Sequence, residues 1–532
     1  LWLDDVQVAA YASERHFFLL MPPLFPLLTT LILGGLLGWA WFTDHVMRGG
    51  LLVIITVLWS VLMGLWWALR QRGCRLKRVG IVFAMAAAVF AFFKFGVRYE
   101  GSADGSALPR MSLRWTKITT PELPPLISVK AEPSLADVPP AGLIDMPRFM
   151  GEKGDGYFPA PAFHTDWAAH PPRELWRIPV GLGWAGFAVA GHRAITQEQR
   201  GELECITCYD IRSGKLLWSH TDKALFAEML GSNGPRATPT IDVVAGNVFT
   251  VGGTGILNCL DLATGMKKWH HDLIKDGEAK GNLMYGKSSS PLLFGAFVIG
   301  TGGEGGSSLI AYNRADGQLA WKSGTDGGSY SSPVLLTLAG REQIVSLNSN
   351  SVTGHDPATG SILWTFDWPG MFPKVAQPLA AGPDRLLITS SYGLNSHLLE
   401  IKAAADAKTC SVTSIWDSSA LRTKFSSASI IGQHAYAIDE GTFCCVDLKT
   451  GERVWREVRY GFGQHIRLGE NLLLIQAEKG HAALAQVTPE KLIEIAHLDA
   501  LTSKTWNPPT LAGRYLILRN DREAICFELP AK

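Results

Sequence analysis

The sequence predicts an all-β, eight-bladed β-propeller preceded by an α-helical membrane domain of three transmembrane helices. Three observations carry that prediction. Near the N-terminus lie three apolar stretches, each long enough to cross a bilayer, which takes roughly 20 residues. Beyond them an Asp-x-x-x-Gly-x-x-x-Trp unit recurs along the chain. The two ends of that array also complement each other, with a strand missing at the back and a matching one unclaimed at the front.

Composition agrees with this class. Across 532 residues, 49 Lys+Arg balance 48 Asp+Glu, so no broad positive field points to nucleic acid. The 55 Gly, 29 Pro and 18 Trp suit many strands joined by turns. Eight Cys in a chain of this length do not make a disulfide scaffold.

The membrane domain is assigned to residues 1–98, with spans at about 24–42, 51–69 and 79–97. The second, LLVIITVLWSVLMGLWWAL, has no charged residue, which argues against a buried core helix. Lys94, near the end of the third, is placed to snorkel to the interface. Three successive spans also argue against a cleavable signal peptide. The loop between spans two and three carries Arg70, Arg72, Arg75, Lys77 and Arg78, whereas the loop between spans one and two carries only Arg48. The positive-inside rule puts the basic loop in the cytoplasm, the N-terminus with it, and everything after Arg98 outside; in a bacterium that is the periplasm. Residues 99–172, rich in Pro and poor in periodicity, are expected to form an extended periplasmic tether.

Residues 173–532 hold the repeats. CYDIRSGKLLW supplies Asp210, Gly214 and Trp218, and CLDLATGMKKW supplies Asp261, Gly265 and Trp269. AYNRADGQLAW, GHDPATGSILW and CCVDLKTGERVW add units ending at Trp321, Trp364 and Trp455. Each predicts strand, tight turn, strand: Asp or Asn caps turn amides, and Gly takes positive φ. Degenerate units end at Trp416 and around Ile495. Intervals of 39 to 52 residues from Trp176 to Trp455 match one four-stranded blade each. The last unit stops at Glu528, where its outer strand should begin, and RELWRIPV, ending near Trp176, supplies that strand and closes a ring of eight. The five tryptophans of the complete units are expected to be buried at blade junctions.

Cys205 and Cys208 form a C-x-x-C pair, yet Cys208, Cys259, Cys445 and Cys526 occupy one repeat position two residues before the turn acid. That is the signature of a small packed residue on the third strand, not of a metal or redox site. The adjacent pair Cys444–Cys445 lies on the same strand and is assigned to packing as well.

These units resemble the repeats of pyrroloquinoline quinone (PQQ)-like β-propellers. That superfamily includes quinoprotein alcohol and glucose dehydrogenases and the propeller lipoprotein of the outer-membrane barrel-assembly machine. LWRIPVGLGWAGFAV, TQEQRGE, GPRATPT, GTGILNCLDLATG, RYGFGQ and KTWNPP are similar to membrane-anchored PQQ-like propeller proteins of bacteria. The chain departs from the dehydrogenase pattern: it has no long insertions to cover an active site, no W-D-x-D-like segment for a catalytic Asp, and no C-x-x-C-H for haem.

Inner-strand entries align as KSSSP, SYSSP, KVAQP, KFSSA and KTWNP. Lys287, Lys374, Lys424 and Lys504 share one offset, and Arg236 lies one residue nearer its strand. These cations are expected to converge on one channel mouth, with Trp184, Tyr330, Gln377, Gln464, Trp506 and Asn507 in related positions and Glu198 and Arg200 on the same face. Such a ring of like charge needs an anion, interleaved carboxylates or open solvent to relieve it. No catalytic or metal-binding residue is assigned. The expectation is a binding or scaffold module on the bacterial inner membrane, with its propeller periplasmic, for a partner protein in a membrane complex or for an anionic ligand. The dehydrogenase resemblance implies an alternative, a PQQ-dependent oxidoreductase of alcohols or sugars that passes electrons to membrane quinone. PQQ with Ca²⁺ would be its cofactor and Glu198 its acidic candidate.

Overall fold

The computed structural model describes residues 24–43, 47–70, 75–116, 122–127, 139–228, 230–370, 372–405 and 408–532. The chain divides into two compact units, Leu1–Thr119 and Thr120–Lys532.

The first unit holds helices α1 (Phe25–Phe42), α2 (Arg48–Arg70) and α3 (Arg75–Ala91), the last continuing through a wider turn, Phe92–Gly96. All three segments are long and apolar enough to cross a membrane. Leu31, Trp41, Ile54, Phe83 and Phe90 are exposed on them, which suits lipid and would be costly in water. Trp59 donates to the Thr30 hydroxyl at 2.9 Å and ties α2 to α1. The stretch after α3 is a hairpin, Val97–Ser102 against Pro109–Leu113, and not a plain extension. The carboxylate of Asp104 takes both the amide and the hydroxyl of Ser106 and organises its turn.

The second unit is a ring of eight antiparallel blades. Blade 1 comprises Ala188–Ala190, Arg193–Arg200, Leu203–Asp210 and Leu216–Lys223. Blades 2 to 7 span 240–272, 292–323, 334–367, 379–418, 429–459 and 464–499. Blade 8 joins Thr510–Ala512, Tyr515–Arg519 and Glu523–Glu528 to Arg173–Pro179 from the front of the array. Cys526 pairs with Trp176 in that closing ladder.

The repeated turn is built as its residues predict. Asp210, Asp261, Asn313, Asp356 and Asp447 each accept from the amide two residues on. The following Gly takes φ between 67° and 78° and returns its amide to the carbonyl of that Asp or Asn at 2.8 Å. A second reason for Gly lies across the blade junction. A Cβ at Gly214, Gly265, Gly317, Gly360 or Gly451 would strike Trp176, Trp218, Trp269, Trp321 or Trp416 of the preceding blade. Trp218 and Trp364 are buried, whereas Trp269, Trp321 and Trp455 are only half-buried. This corrects the expectation that all five are buried: the next blade covers one face of the indole, and the outer strand leaves the rest toward solvent.

The stretch expected as a tether is largely part of the ring. Met146 exchanges backbone hydrogen bonds with Val189 of blade 1, and Pro147 accepts from Ile241 of blade 2. Tyr157–Phe158 adds a fifth, parallel strand to the inner strand of blade 7, and Gly142 accepts from Arg514 of blade 8. Met150, Phe163 and Trp167 are buried with Leu474, Leu516 and Leu518. Residues 139–172 thus form a clasp across the ring at the end where first and second strands turn. The hydrophobic residues spaced between its prolines find a surface only once the blades exist.

Candidate functional site

The opposite end of the ring is formed by the segments that enter each inner strand. Short polar residues there link every blade to the next. The Gly186 amide donates to the Thr238 hydroxyl at 3.0 Å, Thr238 to Ser290 at 3.0 Å and Ser290 to Ser332 at 2.8 Å. Ser332 donates to the Gln377 side chain at 2.9 Å, and Gln377 to Ser427 at 3.0 Å. Gln464 donates to Phe425 O and Trp506 O, and Asn507 to Ala185 O at 2.8 Å, which completes the circuit. Gln377, Gln464 and Asn507, expected to face a ligand, are therefore members of a belt that holds the blades together.

The cations separate into two kinds. Lys287 is wholly buried, its ammonium donating to the Thr301 hydroxyl and Gly302 O at 2.6 Å each. Burial pushes it down to about 7. Lys374 is buried too, donates to Ser349 O and lies over Trp368; burial lowers it to about 8 against the pull of Asp326. Lys424 and Lys504, buried as well, each sit on several aromatic faces. Lys504 lies 4.1 Å from the Trp506 ring and 5.1 Å from Trp184, and Lys424 lies 4.9 Å from Phe462 and 5.1 Å from Tyr392. Trp506 contacts both Trp184 and Phe425 at 4.8 Å between ring centres, so the two lysines share one aromatic cluster.

Arg236 holds the loop before blade 2. Its guanidinium donates to Gly231, Ser232 and Gly234 carbonyls beneath Phe226, and burial lowers it to about 10 with Glu228 opposing. Tyr330 takes the Tyr285 amide on its hydroxyl, with the two rings 5.9 Å apart. Tyr392 is close enough to Tyr285, Tyr330 and Glu440 for each to act on its hydroxyl electrostatically. The mouth is thus an aromatic collar carrying cations and carboxylates together. The sequence reading missed the carboxylates. Glu478 accepts from Trp506 Nε1 at 2.8 Å, and Glu440 accepts from Ser391 with its carboxyl raised by burial against the pull of Lys424. A signal was available, because DEGT and AEKG place Glu440 and Glu478 on the turn between second and third strands of neighbouring blades.

Glu198 and Arg200 face each other inside blade 1. One Glu198 oxygen takes Arg200 at 2.8 Å and the Tyr209 hydroxyl at 3.0 Å, and the other takes the Gly181 amide. Both oxygens are engaged by the protein, and among the described residues no group of three or more His, Cys, Asp or Glu is arranged to hold a metal ion. This donor set does not suit a Ca²⁺-bound PQQ. Cys208, Cys259, Cys445 and Cys526 lie buried opposite Trp218, Trp269, Trp455 and Trp176. Burial holds their thiols above the usual range, Cys259 at about 12 and Cys445 at about 11.

Fold and mouth together define an eight-bladed, blade-belted propeller with an aromatic, charge-bearing collar at one end, on a chain that also carries three potential membrane spans. Residues 172–272 and 202–457 match the family described as outer membrane protein assembly factor BamB, and together they cover more than half the chain. The chain belongs to this PQQ-like propeller family. Among solved structures, quinohemoprotein alcohol dehydrogenase from Comamonas testosteroni is similar at a TM-score of 0.53 and 12% identity, over 74% of this chain and 81% of that one. BamB from Moraxella catarrhalis is 13% identical at a TM-score of 0.48, over 67% of this chain and 100% of that one. At such identity the likeness speaks to fold alone. No curated protein matches the chain.

Proposed function

We propose that this protein is a non-catalytic binding module, held to the bacterial inner membrane by its three helices, which docks a partner protein of a membrane complex at the axial collar. The observation that carries the reading is the aromatic collar, in which half-buried Phe425 and Tyr392 adjoin the buried Trp184, Phe462 and Trp506 around Lys424 and Lys504. The half-buried rings contribute contact area at low entropic cost, and the lysines buried beside them add a positive field that favours an anionic group of the partner. Interleaved Glu440 and Glu478 keep the cations from repelling one another, so the collar suits a mixed polypeptide surface better than a small polyanion. The basic loop from Arg70 to Arg78 supports a cytoplasmic loop and a periplasmic propeller.

Photo-crosslinkers placed at the half-buried Tyr392 and Phe425 in living cells should each trap the same discrete protein, and one at the exposed Val244 should not. Equal labelling from all three positions would sink the reading. So would a purified sample with stoichiometric quinone absorbance and dye-linked alcohol or sugar oxidation, the behaviour that a quinoprotein dehydrogenase requires.

A further inference from the structure

The hairpin that follows α3, Val97–Ser102 against Pro109–Leu113, is held at both ends to the apolar helices. Its foot, Val97, follows directly on Gly96, where the third apolar segment ends. Its turn meets the second segment: the Gly49 amide donates to Ser106 O at 3.1 Å, and a Cβ at Gly49 would lie 2.7 Å from Leu108 N. Gly49 stands at the start of α2, whose apolar segment begins at Arg48. The end of one span and the start of the span before it mark the same side of a bilayer. The hairpin is therefore laid along that boundary and does not stand up from it.

Its two faces differ in chemistry. Val97 pairs with Leu113 and Tyr99 with Met111, and strand alternation puts these four side chains on one face. Tyr99, Met111 and Leu113 are 37%, 44% and 37% exposed, so the helices leave that face open. Exposed Phe95 and Trp115 flank the foot, with Trp115 against Phe92 at 6.3 Å between ring centres. The other face holds Arg98, Glu100, Arg110, Ser112 and Arg114. Glu100 takes the Ser112 hydroxyl and lies 3.4 Å from Arg110. Arg98 donates to Arg114 O and Arg114 to Val97 O, each at 3.1 Å, which fixes both guanidiniums at the foot.

An amphipathic element held flat at a bilayer boundary turns its apolar face to acyl chains and keeps its charged heads among the lipid headgroups. Tyr and Trp favour that depth. We propose that this hairpin is an interfacial anchor that binds the headgroup of an anionic phospholipid. Tyr99, Met111 and Leu113 enter the acyl boundary, and Arg98 and Arg114 meet the lipid phosphate beside Trp115. Three guanidiniums against one carboxylate on the polar face favour a net-negative lipid over a zwitterionic one. This binding presupposes that α1, α2 and α3 cross the membrane.

The full chain is to be reconstituted in nanodiscs of equal phosphatidylglycerol and phosphatidylcholine, with the photo-crosslinker p-benzoylphenylalanine at one site at a time. Irradiation should attach lipid at Met111 and Leu113 but not at Ser112 between them, and also at the exposed Phe83 of α3. Phosphatidylglycerol should outnumber phosphatidylcholine severalfold in the Met111 adducts. Arg98→Gln combined with Arg114→Gln should bring that ratio close to one, whereas Arg98→Lys with Arg114→Lys should retain part of the preference. Lipid at Phe83 without lipid at Met111 overturns the anchor and leaves the spans standing. Adducts of Met111 with propeller peptides overturn it too, because protein would then cover the apolar face. No lipid at Phe83 would remove the spans and the anchor together. A ratio of one with both arginines present, or a preference that survives the Gln pair, overturns the headgroup recognition.

Discussion

Lys287 ends with its ammonium between Thr301 and Gly302, sealed from water by the entry to blade 3. Folding lowers its proton affinity from the ordinary 10.5 to about 7. The unfolded chain therefore holds this proton more tightly than the folded one between those values. Its burial is a penalty that is full below pH 7 and fades as pH rises toward 10.5. In Lys287→Met that part of the pH dependence should vanish: wild type should gain stability on the variant from pH 7 to 10 in urea titrations, and a flat difference would contradict the buried charge. Lys287→Ala should cost about 2–4 kcal/mol through a cavity and the donor lost to Gly302 O and the Thr301 hydroxyl, with collar binding unchanged. Lys504→Ala should show the reverse, small loss of stability and weaker partner binding, because its ammonium sits at the collar on Trp506.

At the scale of the blade, one construction recurs. Cys208 faces Trp218, the ladder shifts register directly after Cys208, and Trp218 crosses the junction to rest on Gly265 and donate to Leu262 O at 3.1 Å. Ala311 and Trp321, and Cys445 and Trp455, repeat the same pairing and the same shift. Trp218→Ala should cost about 3–5 kcal/mol, read by chemical denaturation, with the surviving folded protein binding normally. Gly265→Ala should cost about 1–2 kcal/mol for the left-handed backbone and more for the clash with Trp218. An unchanged melting temperature for Gly265→Ala would mean that the two blades are not locked at this point. The half-exposed Trp269 should tolerate Phe better than the buried Trp218 does.

For the whole molecule, closure depends on chain far from the last blade. Arg173–Pro179 completes blade 8, and residues 139–172 bridge blades 8, 1, 2 and 7. A propeller beginning at residue 173 should therefore melt well below one beginning at residue 120, with Met146, Phe163 and Trp167 as the missing contacts. Equal melting temperatures would show the clasp to be dispensable. Reporter fusions after Gly73 and Gly105 should read cytoplasmic and periplasmic, and a periplasmic signal at Gly73 would reverse the proposed orientation.

By itself the sequence determined the ring, its eight blades, its closure by Trp176 and the three apolar spans. These depend on local rules that repeat: an Asx turn, a positive-φ Gly and a Trp at fixed spacing, or an uninterrupted apolar run. A periodic signal survives because each copy restates it. The clasp, the belt and the composition of the mouth were decided only by tertiary structure. KSSSP and KFSSA look alike, yet Lys287 meets the Thr301 hydroxyl and Gly302 O, whereas Lys424 meets Phe462 and Tyr392. What each side chain meets lies outside its own segment: Lys287 finds Thr301 and Gly302 on the far side of its own blade's first hairpin, and Lys424 finds Tyr392 and Phe462 from the blades on either side. Whether an ammonium comes to lie on aromatic rings or against backbone carbonyls is settled by that encounter, and no local pattern records it.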